Sequence, residues 1–258
     1  MRWKKGLFNF CVFLAFLLLW QLIVVVFRVP NYIIPPPWGV AKALFAMLMG
    51  ANNTYLHIYY TFTESILGFL LGSSLGLALG VLIKQFEFIN RVFLPYIIAF
   101  QTLPKTAIAP MMLIWFGYGM SSKVMVAASI AFFPVLINTM VGIDSVDSKE
   151  YELMRSLGST RWQMFSKLQF PSALPYIFAG LDMAIIYSFL GAIVGEFVGA
   201  QRGLGFALVQ MNFNMNMEGS FAVFIILSVT GIFLHYLVNF FNRKVVFWQS
   251  SKNQFTGA

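Results

Sequence analysis

Four long stretches of this chain contain no formally charged residue, and each is long enough to cross a lipid bilayer. They are residues 6–27, 65–83, 124–143 and 219–242, with 22, 19, 20 and 24 residues. A helix rises 1.5 Å per residue, so about 20 apolar residues span the ~30 Å hydrocarbon core of a membrane. Two further apolar stretches, residues 92–116 and 176–197, are interrupted by charged residues. The pattern predicts an all-α integral membrane protein with about six transmembrane helices.

The composition excludes the main classes of water-soluble protein. Charged residues make up 10% of the chain and hydrophobic residues 59%, whereas soluble domains contain about 25% charged residues. So little polar surface cannot enclose a soluble globule of 258 residues. A soluble enzyme and a disordered tail are therefore both excluded.

The positively charged residues lie mainly in every second connecting segment, which predicts how the chain is oriented in the membrane. With both termini in the cytoplasm, the cytoplasmic segments contain twelve Lys and Arg residues and the outer segments contain four, while Lys105 lies inside a span. Because Lys and Arg near span ends are retained in the cytoplasm, we expect both termini there. The net charge of +8 therefore reflects topology and indicates no nucleic-acid partner.

A proline-rich segment follows the first predicted span. Pro35, Pro36 and Pro37 prevent a helix at that point, and apolar residues return at helical spacing over residues 40–49. We expect a short helix at the membrane surface over these residues, with Trp38 at the level of the lipid headgroups.

Glycines recur every four residues in the second predicted span. They are Gly68, Gly72, Gly76 and Gly80. Small residues at this spacing let two helices approach closely in lipid, where packing rather than water exclusion drives association. We expect this stripe to pack against another helix, and we favour a helix of the same chain over a helix of a second copy.

The longest predicted cytoplasmic loop contains the signals of two short helices. Asp147 and Glu150 have the spacing of a capping box, and Gly158 suits the left-handed position that ends a helix. Thr160 is expected to begin the second helix and Pro171 to end it. Apolar residues recur in steps of three within each helix: Tyr151, Met154, Leu157, Trp162, Phe165 and Leu168. An apolar stripe outside the bilayer requires a partner.

The same loop resembles the signature of the membrane-spanning permease subunits of binding-protein-dependent ABC importers. That signature is Glu-Ala-Ala, three residues, Gly, nine residues and Ile-x-Leu-Pro, and Glu152, Gly158 and Pro171 match it at the same spacing. Leu153 and Met154 stand in place of its two alanines. Short motifs elsewhere are similar to the nitrate, sulfonate and taurine branch: Leu103-Pro104, Phe132-Phe133-Pro134, Gly195-Glu196 and Gly203-Leu204-Gly205.

The resemblance implies a MetI-like permease fold over residues 60–245. Residues 1–59 would then form an N-terminal transmembrane helix with an outer segment, and residues 246–258 a cytoplasmic tail. It also implies that residues 144–175 form a coupling loop that docks on a cytoplasmic ATPase. The residues expected to take part in coupling are Glu152, Arg155, Leu157, Gly158, Arg161, Trp162 and Pro171.

The implied assembly contains two copies of the permease as a homodimer, two ATPase subunits and a solute-binding protein, in the bacterial cytoplasmic membrane. No Gly is followed by Lys anywhere in the chain, so it lacks the phosphate-binding loop of ATPases. We therefore expect ATP and Mg²⁺ on the partner ATPase and no cofactor in this chain. His57 and His235 lack metal-ligand spacing, and no catalytic set of residues is recognisable. The sequence predicts a transport subunit and not an enzyme.

Polar residues inside the predicted spans are candidates for the translocation pathway, because a charge in hydrocarbon costs about 2.5–3.5 kcal/mol. Lys105 and Glu196 both fall in the outer half of the membrane, where an ion pair is possible, whereas Asp182 lies nearer the cytoplasm. The same charges would also serve to fix helix packing, and the sequence leaves both roles open. The candidate pathway residues are Gln101, Thr102, Lys105, Asn138, Asp182, Tyr187 and Glu196.

The sequence leaves the substrate open. The resemblance implies nitrate, an alkanesulfonate or taurine. Residues 101–104 and 154–158 also look like those of relatives thought to carry pyrimidine precursors of thiamine, so a neutral heterocycle is an alternative. A self-contained channel or ion-coupled carrier is the alternative from another class, because the interrupted spans would permit one.

Overall fold

The computed structural model describes residues 2–245, and the predicted tail at residues 246–258 lies outside the described residues. The described part is built from α-helices joined by short turns. In chain order they are α1 (Arg2–Val26), α2 (Pro37–Leu48), α3 (Thr54–Gln85), α4 (Glu87–Thr102), α5 (Ala109–Phe116), α6 (Met120–Asp144), α7 (Ser148–Ser156), α8 (Arg161–Met164), α9 (Phe170–Gly199), α10 (Leu204–Phe213) and α11 (Met217–Val245).

Among the described residues, four helical segments are long and apolar enough to cross a membrane. They are Ala51–Gln85, Met120–Asp144, Arg161–Gly199 and Met217–Asn242. A fifth crossing is present if the pair Glu87–Thr102 and Thr106–Phe116 is taken as one broken span. Within α1, the apolar helical stretch Leu14–Val26 is shorter than these spans, so a sixth crossing stays a prediction. The all-helical, multi-span architecture is confirmed.

The broken span bends by 80° between α4 and the residues that follow it. Leu103 has an extended backbone, with φ −64° and ψ 139°. A residue that precedes a proline is disfavoured in the helical conformation by the proline ring, and Pro104 follows Leu103. The chain resumes in a short 3-10 turn, Lys105–Ile108, before α5 begins. The prolines of this segment thus account for the interruption.

The described residues divide into two compact units. Unit 1 contains residues 2–60 and 201–230, and unit 2 contains residues 61–200 and 231–245. Unit 2 includes the predicted coupling loop and every predicted pathway residue.

Unit 1 contains the predicted surface helix. It is α2, which begins at Pro37 with Pro36 as its N-cap residue. Proline suits the first helical position because the N–H that it lacks has no partner within the helix there. The short helix predicted over residues 40–49 is therefore confirmed, with an earlier start.

Two contacts join other segments of unit 1. The ring centroids of Trp20 and Phe221 lie 5.8 Å apart. The Gly203 amide donates to His57 Nδ1 at 3.0 Å.

In unit 2, the glycine stripe of α3 lies directly against α6 of the same chain. A Cβ atom placed on Gly72 would lie 2.4 Å from the Ala128 carbonyl oxygen, and one on Gly76 would lie 2.6 Å from the Phe132 carbonyl oxygen. The second helix that packs closely on α6 is α9, where a Cβ on Gly191 would lie 2.7 Å from Ala127 Cα. The backbones of α3 and α9 can approach α6 this closely only because the residues at the contacts have no side chain.

Replacing Gly72 with valine should destabilise unit 2 by about 1–3 kcal/mol, the usual cost of overpacking. The added atoms would meet backbone, which cannot rotate away as a side chain can. Thermal unfolding of the purified protein in detergent measures the effect. The matched control is Gly119→Ala, since a Cβ at Gly119 would meet nothing within 4 Å. Equal melting temperatures for the two variants would contradict this account of the stripe.

Candidate functional site

The predicted coupling loop begins where a salt bridge joins α3 and α6 of unit 2. Lys84, near the end of α3, forms a salt bridge of 2.5 Å with Asp144, the last residue of α6. The Lys84 side chain is largely buried, whereas the Asp144 side chain is exposed. The pair fixes the point from which the loop leaves the helices.

The first loop helix, α7, is capped at both ends. The Asp147 carboxylate accepts from the Lys149 amide at 2.9 Å. Asp147 therefore caps α7, but through Lys149 and not through the capping box predicted with Glu150. At the other end the Ser159 amide donates to the Met154 carbonyl at 3.1 Å and the Gly158 amide donates to the Arg155 carbonyl at 3.0 Å. This is a Schellman motif, which needs a left-handed residue, and Gly158 has φ +73°. The prediction that Gly158 ends this helix in a left-handed conformation is confirmed.

The second loop helix begins as predicted and ends differently. Thr160 and Gln163 form a capping box, in which each side chain accepts from the backbone amide of the other residue, at 3.2 and 2.8 Å. The prediction that Pro171 ends this helix is wrong. The chain passes from α8 through a π-helical turn, Phe165–Gln169, directly into α9.

The π-turn explains why the proline does not stop the helix. The Phe170 amide donates to the Phe165 carbonyl, five residues earlier. Pro171 then falls in the first turn of α9. A proline near a helix start removes no necessary hydrogen bond. The second loop helix and the span that follows it are therefore one continuous helical segment, Arg161–Gly199.

The loop carries an exposed apolar surface, which we call the docking patch and define as Tyr151, Leu153, Leu157 and Trp162. Leu157 and Trp162 are each 72% exposed. The sequence predicted an apolar stripe on each loop helix, but Met154, Phe165 and Leu168 of those stripes are half-buried. The Phe165 ring packs within the same segment, with its centroid 5.8 Å from that of Trp162 and 5.7 Å from that of Phe170.

The remaining predicted coupling residues lie in the two loop helices and at the start of α9. Glu152, Arg155 and Arg161 are exposed, and Pro171 is half-buried. Charged side chains around an apolar centre are typical of protein interfaces, whose rims are polar. The loop thus presents its apolar side chains on a short, rigidly capped frame.

The predicted pathway residues in the span region occupy different environments. Gln101 and Thr102 are exposed at the end of α4, and the Thr102 hydroxyl donates to the Ala99 carbonyl at 2.8 Å. Tyr187 is 38% exposed on α9. The Asn138 amide donates within α6 to the Pro134 carbonyl at 2.8 Å. The structure does not bring these residues together in one cluster.

Lys105 and Glu196 also have different settings. The backbone of Lys105 begins the 3-10 turn after the bend, and its side chain lies outside the described residues, so the ion pair with Glu196 stays a prediction. Glu196 is 1% exposed and accepts from the Thr61 hydroxyl at 2.6 Å.

Glu196 belongs to a buried polar cluster whose other charged members the sequence interpretation missed. Glu64 is 2% exposed and its carboxyl group hydrogen-bonds with that of Glu196. Lys123, also 2% exposed, interacts electrostatically with both carboxyl groups. Its ammonium group donates to the Tyr118 and Gly199 carbonyls, each at 2.7 Å. We call Thr61, Glu64, Lys123 and Glu196 the buried charge cluster.

One signal in the sequence points to this cluster. Glu64 lies four residues before Gly68 and so continues the glycine stripe by one helical turn. A carboxylate on the face of α3 that packs against other helices needs a buried partner. Lys123 gave no such signal, because its position near the end of a span suits an outer loop equally well.

Asp182 has partners of its own in unit 2. Its carboxylate contacts His235 at 2.9 Å and Asn239 at 3.0 Å, both on α11. The sequence interpretation did not select these two residues, although their spacing of four places them on one face of a helix. Among the residues that the structure describes, no group of three His, Cys, Asp or Glu side chains could hold a metal ion.

Long apolar helices, close glycine-mediated packing and an exposed apolar loop define a multi-span membrane protein. Comparison with known proteins gives the family. The chain belongs to the family described as "Binding-protein-dependent transport system inner membrane component", whose profile matches residues 68–247. It is therefore a permease subunit of an ABC importer and not an enzyme, and permeases of this kind work with an ATPase and a binding protein.

Two relatives illustrate the range within this family. The chain is 33% identical to the putative aliphatic sulfonates transport permease protein SsuC of Bacillus subtilis, over 96% of this chain and 89% of the relative. It is also 33% identical to the formylaminopyrimidine transport permease protein ThiX of Halalkalibacterium halodurans, over 85% of this chain and 87% of the relative.

A solved structure shows the same fold. The chain superposes on a chain from inward-facing conformations of the MetNI methionine ABC transporter with a TM-score of 0.66 and 18% identity. The match covers 76% of this chain and 99% of that chain. The MetI-like permease fold implied by the coupling-loop signature is confirmed.

Proposed function

We propose that this permease forms half of the translocation pathway for a small solute and that residues 144–175 transmit the movement of a partner ATPase to it. The observation that carries the proposal is the docking patch. Leu157 and Trp162 are 72% exposed, although each side chain would gain about 1.5–3 kcal/mol from full burial. A capped loop that keeps such side chains in water is suited to meet another protein.

The continuous helical segment supports a direct mechanical role for this loop. Because α8, the π-turn and α9 follow one another without a break, a displacement of the docking patch would move the cytoplasmic end of a membrane span. The salt bridge between Lys84 and Asp144 holds the other end of the loop. ATP and Mg²⁺ act on the partner ATPase in this scheme, and this chain contributes the moving helix.

The proposed setting is the bacterial cytoplasmic membrane, with both termini and the loop in the cytoplasm. The distribution of twelve Lys and Arg residues against four supports this orientation. We propose that two copies of the chain assemble with two ATPase subunits and receive solute from an external binding protein. The coupling residues are the docking patch with Glu152, Arg155, Gly158, Arg161 and Pro171.

The solute is proposed from the names of the relatives and belongs to one of two classes. SsuC is named for aliphatic sulfonates and ThiX for formylaminopyrimidine, and identity to the two is equal. An alkanesulfonate or nitrate would be an anion and taurine a zwitterion that carries a sulfonate, whereas a pyrimidine precursor would be a heterocycle with amino groups. The pathway residues proposed to meet the solute are Gln101, Thr102, Lys105, Asn138, Asp182, Tyr187 and Glu196.

Uptake measured with and without the partner ATPase tests this function. The permease, its ATPase and its binding protein are reconstituted in liposomes, and uptake of labelled taurine and of a labelled aminopyrimidine is followed with internal ATP. We expect uptake of one of them only when ATP and the ATPase are both present. Uptake by the permease alone, at the same rate, would instead identify a self-contained channel or carrier.

A further inference from the structure

Three polar side chains meet between α9 and α11 in unit 2, and we call them the polar triad: Asp182, His235 and Asn239. His235 Nδ1 lies 2.9 Å from Asp182 Oδ1. The Asn239 amide nitrogen donates to the same oxygen at 3.0 Å and lies 3.0 Å from His235 Nε2. Each member therefore contacts both of the others.

The Asp182 carboxylate is the shared acceptor of the triad. A carboxylate can only accept, so Asp182 Oδ1 accepts from the Asn239 amide and from His235 Nδ1. The Asn239 amide nitrogen lies 3.0 Å from His235 Nε2 and 3.5 Å from Nδ1, and therefore over the ring. The second carboxylate oxygen of Asp182 and the amide oxygen of Asn239 are further hydrogen-bond acceptors.

The triad lies within the thickness of the membrane. His235 precedes the predicted cytoplasmic residue at position 243 by eight residues, or about 12 Å along a helix. The side chains of His235 and Asp182 are 37% and 32% exposed. Polar groups at such depth almost always face a water-filled cavity or another part of the protein, because exposure to lipid is costly.

The surface of α9 beside Asp182 is exposed in this chain. Met183 is 45% exposed, Ile186 43% and Tyr187 38%. Ile186 follows Asp182 by four residues, so the two side chains are neighbours on the helix surface. Tyr187 adds a phenolic hydroxyl to the same stretch. The exposed stretch is mainly apolar, with its polar groups concentrated at the triad.

We infer that the polar triad is a solute-contacting site of the pathway and that it favours solutes with N–H donors, such as amines and amino-substituted heterocycles, over sulfonates, nitrate and other small anions. The inference rests on the proposed function, because it names the substrate class for that pathway. Protein sites for sulfonate-like anions present N–H donors, above all Arg and backbone amides. The triad presents a carboxylate and an amide oxygen instead, which repel an anion and accept from an N–H group.

Two thiol reagents of opposite charge measure this preference directly. Cys11 is the only cysteine of the chain, so Cys11→Ser removes background labelling and Ile186→Cys places one thiol beside Asp182. The complex with the ATPase is treated with 2-(trimethylammonium)ethyl methanethiosulfonate or with 2-sulfonatoethyl methanethiosulfonate, which is itself an alkanesulfonate. Each rate is divided by the rate of the same reagent with free 2-mercaptoethanol.

We expect the normalised rate of the cationic reagent to exceed that of the anionic reagent by about tenfold or more. A negative unit charge about 6 Å from the thiol, in a partly hydrated site, would produce a difference of this size. Asp182→Asn should bring the ratio close to one. Asn239→Asp, which adds a charge, should raise it, and this second variant gives a result even if Asp182→Asn does not fold. Leu190→Cys, one turn farther along α9, should show a smaller ratio.

Two results would overturn the inference. Lack of reaction with both reagents at position 186 would show that this face meets lipid or protein. A normalised ratio near or below one would show that the triad does not disfavour anions. The labelling does not depend on ATP-driven uptake, so failure of the selectivity and failure of the proposed function are separate observations.

Discussion

Trp162→Ala is expected to reduce ATP-driven uptake at least tenfold while the permease remains folded in the membrane. Trp162 is 72% exposed, so its removal leaves no cavity inside this chain. Buried aromatic residues at interfaces typically contribute 2 kcal/mol or more to binding, which corresponds to a factor of about thirty in affinity. The loss should therefore appear as weaker ATPase association and weaker uptake, at unchanged thermal stability of the isolated permease.

The control for Trp162→Ala uses an exposed aromatic residue outside the loop. Phe213 is 83% exposed in α10, and Phe213→Ala should leave ATPase association unchanged. A second variant, Leu157→Ala, should resemble Trp162→Ala because Leu157 is equally exposed. If Trp162→Ala and Leu157→Ala both transport at the rate of the unmodified protein, the docking patch is not the coupling surface.

Lys123→Met is expected to destabilise unit 2 by about 3–5 kcal/mol, the cost of removing one partner from a buried ion pair. The substitution leaves the Glu64 and Glu196 carboxyl groups without their buried cation. It also removes the donor to the Tyr118 and Gly199 carbonyls. The variant should show a lower melting temperature in detergent and a lower yield from membranes.

Two further variants separate charge from packing at Lys123. Lys149 is exposed, so Lys149→Met should have little effect on stability. The double variant Lys123→Met with Glu196→Gln removes a positive and a negative charge together, and it should recover part of the loss because less uncompensated charge remains buried. Full stability of Lys123→Met alone would show that the buried charge cluster contributes little to the fold.

The sequence predicts the coupling loop well because the interactions that shape it are local. The caps at Asp147 and Thr160 and the left-handed turn at Gly158 each involve residues within six positions of one another. Such signals can be found by spacing alone. Pro171 is the exception, since the π-turn that accommodates it has no comparable signal in the sequence.

The polar contacts inside the spans are harder to predict because they join residues that are far apart in the chain. Thr61 and Glu196 are separated by 135 positions, and Asp182 and Asn239 by 57. Hydropathy identifies the helices but does not determine which faces meet. The sequence therefore indicates Asp182 and Glu196 as charged residues inside the spans, but it does not identify His235 or Lys123 as their partners.

Site-specific photo-cross-linking tests the central claim, that this permease is driven through its coupling loop, most directly. A photoreactive benzoylphenylalanine at position 157 or 162 is irradiated in membranes that contain the complete transporter. We expect cross-links from both positions to the ATPase subunit, with yields that change when ATP binds, and none from position 213. Cross-linking to the ATPase from position 213 but from neither loop position would contradict the account.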